Sequence, residues 1–209
     1  DGVPVLMHDN TTNNMVIGEE HVIETLSWEQ LRRYERARYP GEYLDRLEDA
    51  LLAIKGCGHF PAMIEFKPSP GYHHVERMAD LVRDFINEHG MEYQTLLIVG
   101  DDRATYDYVQ SVLPRIPKIM GLWEDVKTPT DLDTIESMLY RFSCRMQGMT
   151  ALPSFEDVMV NRFFQEQAKL HGIVPTVWMR GCYYIPSVWE DAKQRADDAL
   201  SCGFHSSCS

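Results

Sequence analysis

The chain has 209 residues, 44% of them hydrophobic and 11% aromatic, enough for one domain with a well-buried core. Its 20 basic against 32 acidic residues leave a net charge of −12, spread through segments such as "EYLDRLEDA" and "EDAKQRADD". Such a surface repels nucleic acid and anionic lipid, so an anionic substrate needs a local positive group or a metal ion. No apolar run reaches the roughly 18 residues that would span a bilayer. The five cysteines, Cys57, Cys144, Cys182, Cys202 and Cys208, are odd in number and lack C-x-x-C spacing, which favours reduced thiols and a cytoplasmic setting. The chain begins with Asp1 rather than Met, so a secretory leader is left open. Cys202, His205 and Cys208 lie close together, but their spacing fits no common zinc site.

The first stretch, "DGVPVLMHDNTT", starts on a hairpin-turn dipeptide and continues as an apolar arm ending in His8 and Asp9; the other arm of such a hairpin is not in the sequence. Ser27 and Gln30 read as a capping box opening a helix in "SWEQLRRYER", and "LDRLEDALLAI" predicts a second helix. The strand "AMIEFK" follows. After it, "YHHVERMADLVRDFINEHG" places Val75, Met78, Val82, Phe85 and Ile86 on one helical face, with Gly90 as the stop.

The remaining strands are "TLLIVG", "KIMGLW", "CRMQGMTAL", "VPTVWM" and a weak "FHSSC". Helices are expected between them across "RATYDYVQSVL", "LDTIESMLYRF", "SFEDVMVNRFFQEQAKLHG" and "SVWEDAKQRADDALSCG". Alternating strands and amphipathic helices specify an α/β protein with a parallel sheet, either doubly wound or most of an eight-stranded barrel. No G-x-G-x-x-G or G-x-x-x-x-G-K-[ST] follows any strand, which removes the usual nucleotide-binding signatures and favours the barrel.

Two places carry chemistry. Glu65 and Lys67 lie two apart on a strand and so share one side, with Phe66 on the other. A carboxylate and an ammonium on an interior face either pair with each other or serve a site. His8 ends the opening arm, where a histidine is as readily a surface or capping residue as a proton carrier.

Together, "DGVPVLMHDNTT", "YLDRLEDALLAI" and "MIEFK" resemble, in order and spacing, the D-G-x-x-V-x-x-H-D segment, the helix start and the I-E-x-K strand of the glycerophosphodiester phosphodiesterase family. "GIVPTVWM" is similar to that family's penultimate barrel strand. The resemblance implies a (β/α)₈ TIM barrel of the phospholipase-C-like phosphodiesterase type, in which a small hairpin returns a histidine to the active-site mouth. It implies that His8 is one of two acid/base histidines, that Glu65 is a ligand of a divalent metal, Mg²⁺ or Ca²⁺, and that Lys67 contacts the phosphate. Trp178 would wall the substrate pocket.

The implied substrate is a small-molecule phosphodiester, cut to glycerol 3-phosphate and an alcohol. A hard cation and a lysine neutralise the anion. A histidine, with an unperturbed pKa of roughly 6.5, moves the proton. The family's H-R-G and E-x-D motifs, which lie before the hairpin, do not occur here. A barrel of this kind takes about 250 residues, so residues 1–209 are expected to form a single partial barrel domain that lacks its first two strands and, alone, is inactive and prone to aggregate.

The chain reads Gly100-Asp101-Asp102 and Met179-Arg180-Gly181 where the family commonly has Ser-Phe-Asp and Thr-x-Asn types of stretch, which leaves the alcohol unspecified. A non-catalytic relative that keeps the barrel for binding is the alternative reading. A carboxylate glycosidase using Glu65 with Glu124 would work without metal, and it leaves His8 and Lys67 unexplained.

Overall fold

The structure is a computed structural model that describes residues 1–58, 61–66, 73–99, 103–122, 147–151, 166, 170, 172, 174–178 and 206–208. It divides into two compact units, Asp1–Thr95 and Leu96–Ser209.

Asp1 and Gly2 turn as their residue types require. Gly2 takes φ +86°, a left-handed value that side chains resist. Asp1 uses both carboxylate oxygens, accepting from the Val3 N–H at 3.3 Å and from the Trp28 N–H at 2.7 Å. The second contact sets an anion on the first N–H of helix α1 (Trp28–Leu31), where Ser27 and Gln30 form the expected capping box. The helix is shorter than "SWEQLRRYER" suggests. It ends at an Arg32 cap because the chain just beyond is drawn into antiparallel bridges, Val16 with Arg36 and Glu35 with Tyr43. The Ile17 N–H donates to the Glu35 carbonyl and the Arg36 N–H to the Glu42 carbonyl, both at 2.8 Å, so these backbone groups are satisfied across the turn rather than along a helix.

The opening arm pairs downstream. Val5 bridges Arg46, the Leu6 N–H donates to the Asp45 carbonyl and the Leu47 N–H to the Pro4 carbonyl, each at 3.0 Å. Thr12 is fully buried and ties the arm to the next turn; its hydroxyl donates to the Glu19 carbonyl at 2.9 Å and accepts from the His21 N–H at 2.8 Å. Under these isolated bridges lies a small core of Val16, Leu31 and Leu44, with Val5, Met7 and Trp28 packed against it. Burial of that apolar surface, at about 25 cal/mol per Å², supplements the few ladder bonds that the bridges make.

Helix α2 (Leu47–Cys57) begins where the arm's partner ends, and Gly58 at φ +71° stops it. The Arg46 fork grips Asp49 at 2.7 and 2.8 Å across the first turn, and this hydrogen bonding holds the Asp49 carboxyl below its ordinary value. Strand β1 (Ala62–Phe66) alternates as its sequence predicts. Ala62, Ile64 and Phe66 are buried on one face, while Met63 is exposed and Glu65 half-buried on the other. Helix α3 (His73–His89) buries Val75, Ala79, Val82 and Ile86 at helical spacing, and Gly90 at φ +64° is its stop. Met78 and Phe85, expected on the same face, are half-buried at its margins.

In the second unit β2 (Thr95–Val99), β3 (Lys118–Leu122), β4 (Gln147–Ala151), β5 (Val174–Trp178) and β6 (Ser206–Cys208) are neighbours in chain order, and every pair is parallel. Leu97 stands opposite Lys118, Ile119 opposite Gly148, Thr150 opposite Thr176 and Trp178 opposite Cys208. Helix α4 (Arg103–Val112) carries the crossover from β2 to β3. A doubly wound sheet reverses its strand order at a switch point, and these strands never reverse. Such sequential winding is shared with the TIM-barrel superfamily, and the described strands form part of a sheet rather than a closed eight-stranded barrel. Of the expected later helices, Glu166, Leu170 and the left-handed Gly172 are described, the first two helical; the rest lie outside the described residues.

Among the described residues of this unit Lys118 is the largest buried polar side chain, and it is fully buried. Its ammonium donates to the Leu113 carbonyl at 2.6 Å and the Ile116 carbonyl at 2.8 Å, closing the end of α4 with the charge that a helix C-terminus favours.

Candidate active site

The arm delivers His8, and two side chains hold it there. His8 Nδ1 lies 2.7 Å from Asp9 Oδ1, and the other oxygen of Asp9 accepts from the Asn13 amide at 3.0 Å. Asn13 opens a single 3₁₀ turn, Asn13–Met15, which fixes its position relative to the arm. An ionised carboxylate only accepts, so Nδ1 carries the hydrogen in this pair and Nε2 is left to take or give a proton.

His8 and Glu65 line one cleft of about 400 Å³. The arm supplies Leu6 and Met7 beside His8, and the 3₁₀ turn supplies Met15. The excursion between α1 and α2 adds Arg36, Arg38, Tyr39 and Leu44, and β1 adds Glu65 from the face opposite its buried residues. Arg36 is anchored: its guanidinium donates to the Tyr43 carbonyl at 3.0 Å and to Asp45 at 2.5 Å. Arg38 is exposed.

Of the residues singled out in the sequence, the structure thus brings His8 and Glu65 together. Lys67, Glu124, Cys202 and His205 lie outside the described residues. Trp178 is the last residue of β5, opposite Cys208. Asp9 and Asn13 hold His8, and Arg36, Arg38 and Tyr39 join it in the cleft, roles that no motif or spacing in the sequence assigns to them. For Asp9 there was a signal in its place next to His8, whereas the arginines reach the cleft by bridges that no local periodicity announces.

Glu65 offers one hard oxygen donor of the kind Mg²⁺ and Ca²⁺ take. Among the described residues no three His, Cys, Asp or Glu side chains gather to hold a metal ion. They contain one candidate ligand in the cleft and not a full cage.

A parallel sheet whose strands follow one another in chain order, with helices between them, is the α/β class related to the TIM barrels. The model of the glycerophosphoryl diester phosphodiesterase family matches residues 1–178, and the chain belongs to that family. Solved structures agree on the fold. One, assigned to the glycerophosphoryl diester phosphodiesterases of Silicibacter pomeroyi, is 17% identical with a TM-score of 0.68, covering 98% of this chain and 74% of its own. Another, a glycerophosphodiester phosphodiesterase from Parabacteroides distasonis, is 15% identical with a TM-score of 0.65, covering 97% of this chain and 72% of its own. No curated protein matches the chain.

Proposed function

We propose that this protein hydrolyses glycerophosphodiesters to glycerol 3-phosphate and an alcohol, in a metal-dependent reaction with His8 as a proton carrier. The observation that carries the reading is the cleft itself, where the arm and β1 bring an oriented histidine and a half-buried carboxylate to one concave surface. In this reading Glu65 is one ligand of Mg²⁺ or Ca²⁺, Lys67 contacts the phosphate and Trp178 walls the pocket. A bound divalent ion would supply neutralisation of the diester's negative charge.

The chain's own groups do the rest. Water adds to phosphorus and gives up a proton, the bond from phosphorus to the alcohol oxygen breaks, and that oxygen takes up a proton. His8, with Nδ1 held by Asp9, presents Nε2 for one of these transfers. Leu6, Met7, Met15 and Leu44 give the cleft an apolar side against which the substrate's carbon skeleton can lie. Residues 1–209 are taken as one barrel-type domain. Reduced thiols and a reducing compartment belong to the same reading, supported by Cys57, a free and exposed cysteine. No helix among the described residues is long and apolar enough to cross a membrane.

The test is release of glycerol 3-phosphate from a glycerophosphodiester by the protein as its gene encodes it, with any residues that precede Asp1, in the presence of Mg²⁺, of Ca²⁺ and of chelator. Metal-dependent release, lowered by about 100-fold or more in His8→Ala, is expected. A second reading is a relative that binds without catalysis. It takes over if the chain binds the diester and leaves it intact under every metal condition.

A further inference from the structure

Arg38 stands out in the cleft because its charge is unspent. Arg32, Arg36 and Arg46 on the same stretch each hold a carboxylate, of Glu29, Asp45 and Asp49. Arg38 makes no ion pair or hydrogen bond among the described residues, in a chain where acidic residues outnumber basic ones by 32 to 20. Arg33 is likewise without a partner there, but it lines a separate open depression and not the cleft of His8 and Glu65. Glu65 is the one acidic side chain lining this cleft among the described residues, and the proposed reaction assigns it to a metal ion.

We infer that Arg38 binds an oxyanion of the substrate, a phosphate or a carboxylate, and is a specificity-determining residue of the cleft. The inference rests on the phosphodiester reading of the site. A guanidinium presents a planar fork of donors that matches a phosphate or carboxylate with two parallel hydrogen bonds. Arg36, tied to Asp45 and the Tyr43 carbonyl, keeps the backbone two residues away in place, so Arg38 starts from an anchored segment rather than a free loop. The oxyanion has two possible sources, the scissile diester or an acidic group on the alcohol.

Three glycerophosphodiesters separate the sources: one with a neutral polyol alcohol, one whose alcohol carries a carboxylate, and one whose alcohol carries a quaternary ammonium. Arg38→Gln is expected to raise KM about 10-fold or more, the loss typical of one charged hydrogen-bonding partner, with kcat nearly unchanged. Arg38→Lys should recover part of this, as a point charge without the fork. A rise for all three substrates assigns the scissile phosphate, and a rise confined to the carboxylate substrate assigns the alcohol; either result upholds the inference. An Arg38→Gln protein that melts like the parent and keeps its KM for all three overturns it. If the parent hydrolyses none of them, the proposed reaction falls, and Arg38 is judged by calorimetric titration with inorganic phosphate. Weaker binding in Arg38→Gln than in the parent then upholds the oxyanion contact, and equal or absent binding overturns it.

Discussion

His8 and Asp9, neighbours in sequence, are also partners in space, with Nδ1 2.7 Å from Oδ1. Adjacent side chains on an extended segment point to opposite faces, so this contact requires the chain to bend where the arm ends, and both residues do sit in a bend. The Asn13 amide, 3.0 Å from the other Asp9 oxygen, holds the carboxylate in turn. The result is a histidine whose ring orientation is set by a carboxylate that a third residue positions.

If His8 carries the proton, its removal and its disorientation should have different signatures. His8→Ala is expected to lower kcat by about 100-fold or more, the usual share of a general acid or base. Asp9→Asn should lower kcat by less, because an amide both donates and accepts and no longer enforces one tautomer. Nitrogen NMR of His8 distinguishes the two effects: hydrogen on Nδ1 in the parent, and a mixture of tautomers in Asp9→Asn. A single unchanged tautomer together with lost activity would remove the positioning role of Asp9.

Glu65 makes a separate prediction. If Glu65 is a metal ligand, its loss acts on the metal requirement, so Glu65→Gln should raise the Mg²⁺ or Ca²⁺ concentration needed for half activity by about 10-fold or more, with activity partly restored at high metal. An ion-pair partner of purely structural value would instead lower the melting temperature without moving the metal curve. Measuring both on the same preparation decides between them.

The parts that sequence made legible are those where one physical rule acts alone. Ala62, Ile64 and Phe66 alternate with Met63 and Glu65, so β1 and the face of Glu65 follow from the pleat. Ser27 and Gln30 announced a helix start and formed its capping box. The end of that helix was not legible, because Glu35 and Arg36 bond to residues far along the chain, Ile17 among them. The same long-range bridges carry Arg36 and Arg38 to the cleft, which is why the family resemblance and the strand alternation point to His8 and Glu65 and not to them.

Lys118 was read only as the first residue of a strand, and its burial gives it a measurable role. Lys118→Met keeps much of the apolar stem but leaves the Leu113 and Ile116 carbonyls without their charged donor. The expected cost is about 2 kcal/mol or more, set by the charged hydrogen bonds lost and the buried acceptors left unpaired. Urea unfolding followed by far-ultraviolet circular dichroism checks it. A methionine variant as stable as the parent would mean that the carbonyls find other partners and that the lysine is replaceable.

Gly2 and Arg77 test the arm that delivers His8. Gly2 sits at φ +86°, and a Cβ built on it would collide with the Arg77 guanidinium. Gly2→Ala therefore carries two penalties, a strained backbone worth about 1–2 kcal/mol and a displaced arginine. Only the second depends on Arg77, so in an Arg77→Ala background the alanine should cost less than in the parent while still costing something for the backbone. Equal costs in both backgrounds would mean that the exposed guanidinium moves aside freely. The backbone strain acts on the turn where Asp1 reaches the Trp28 N–H, so Gly2→Ala should loosen the arm's anchorage and lower His8-dependent activity more than it lowers overall stability. Activity and melting measured on the four proteins of the cycle separate those effects.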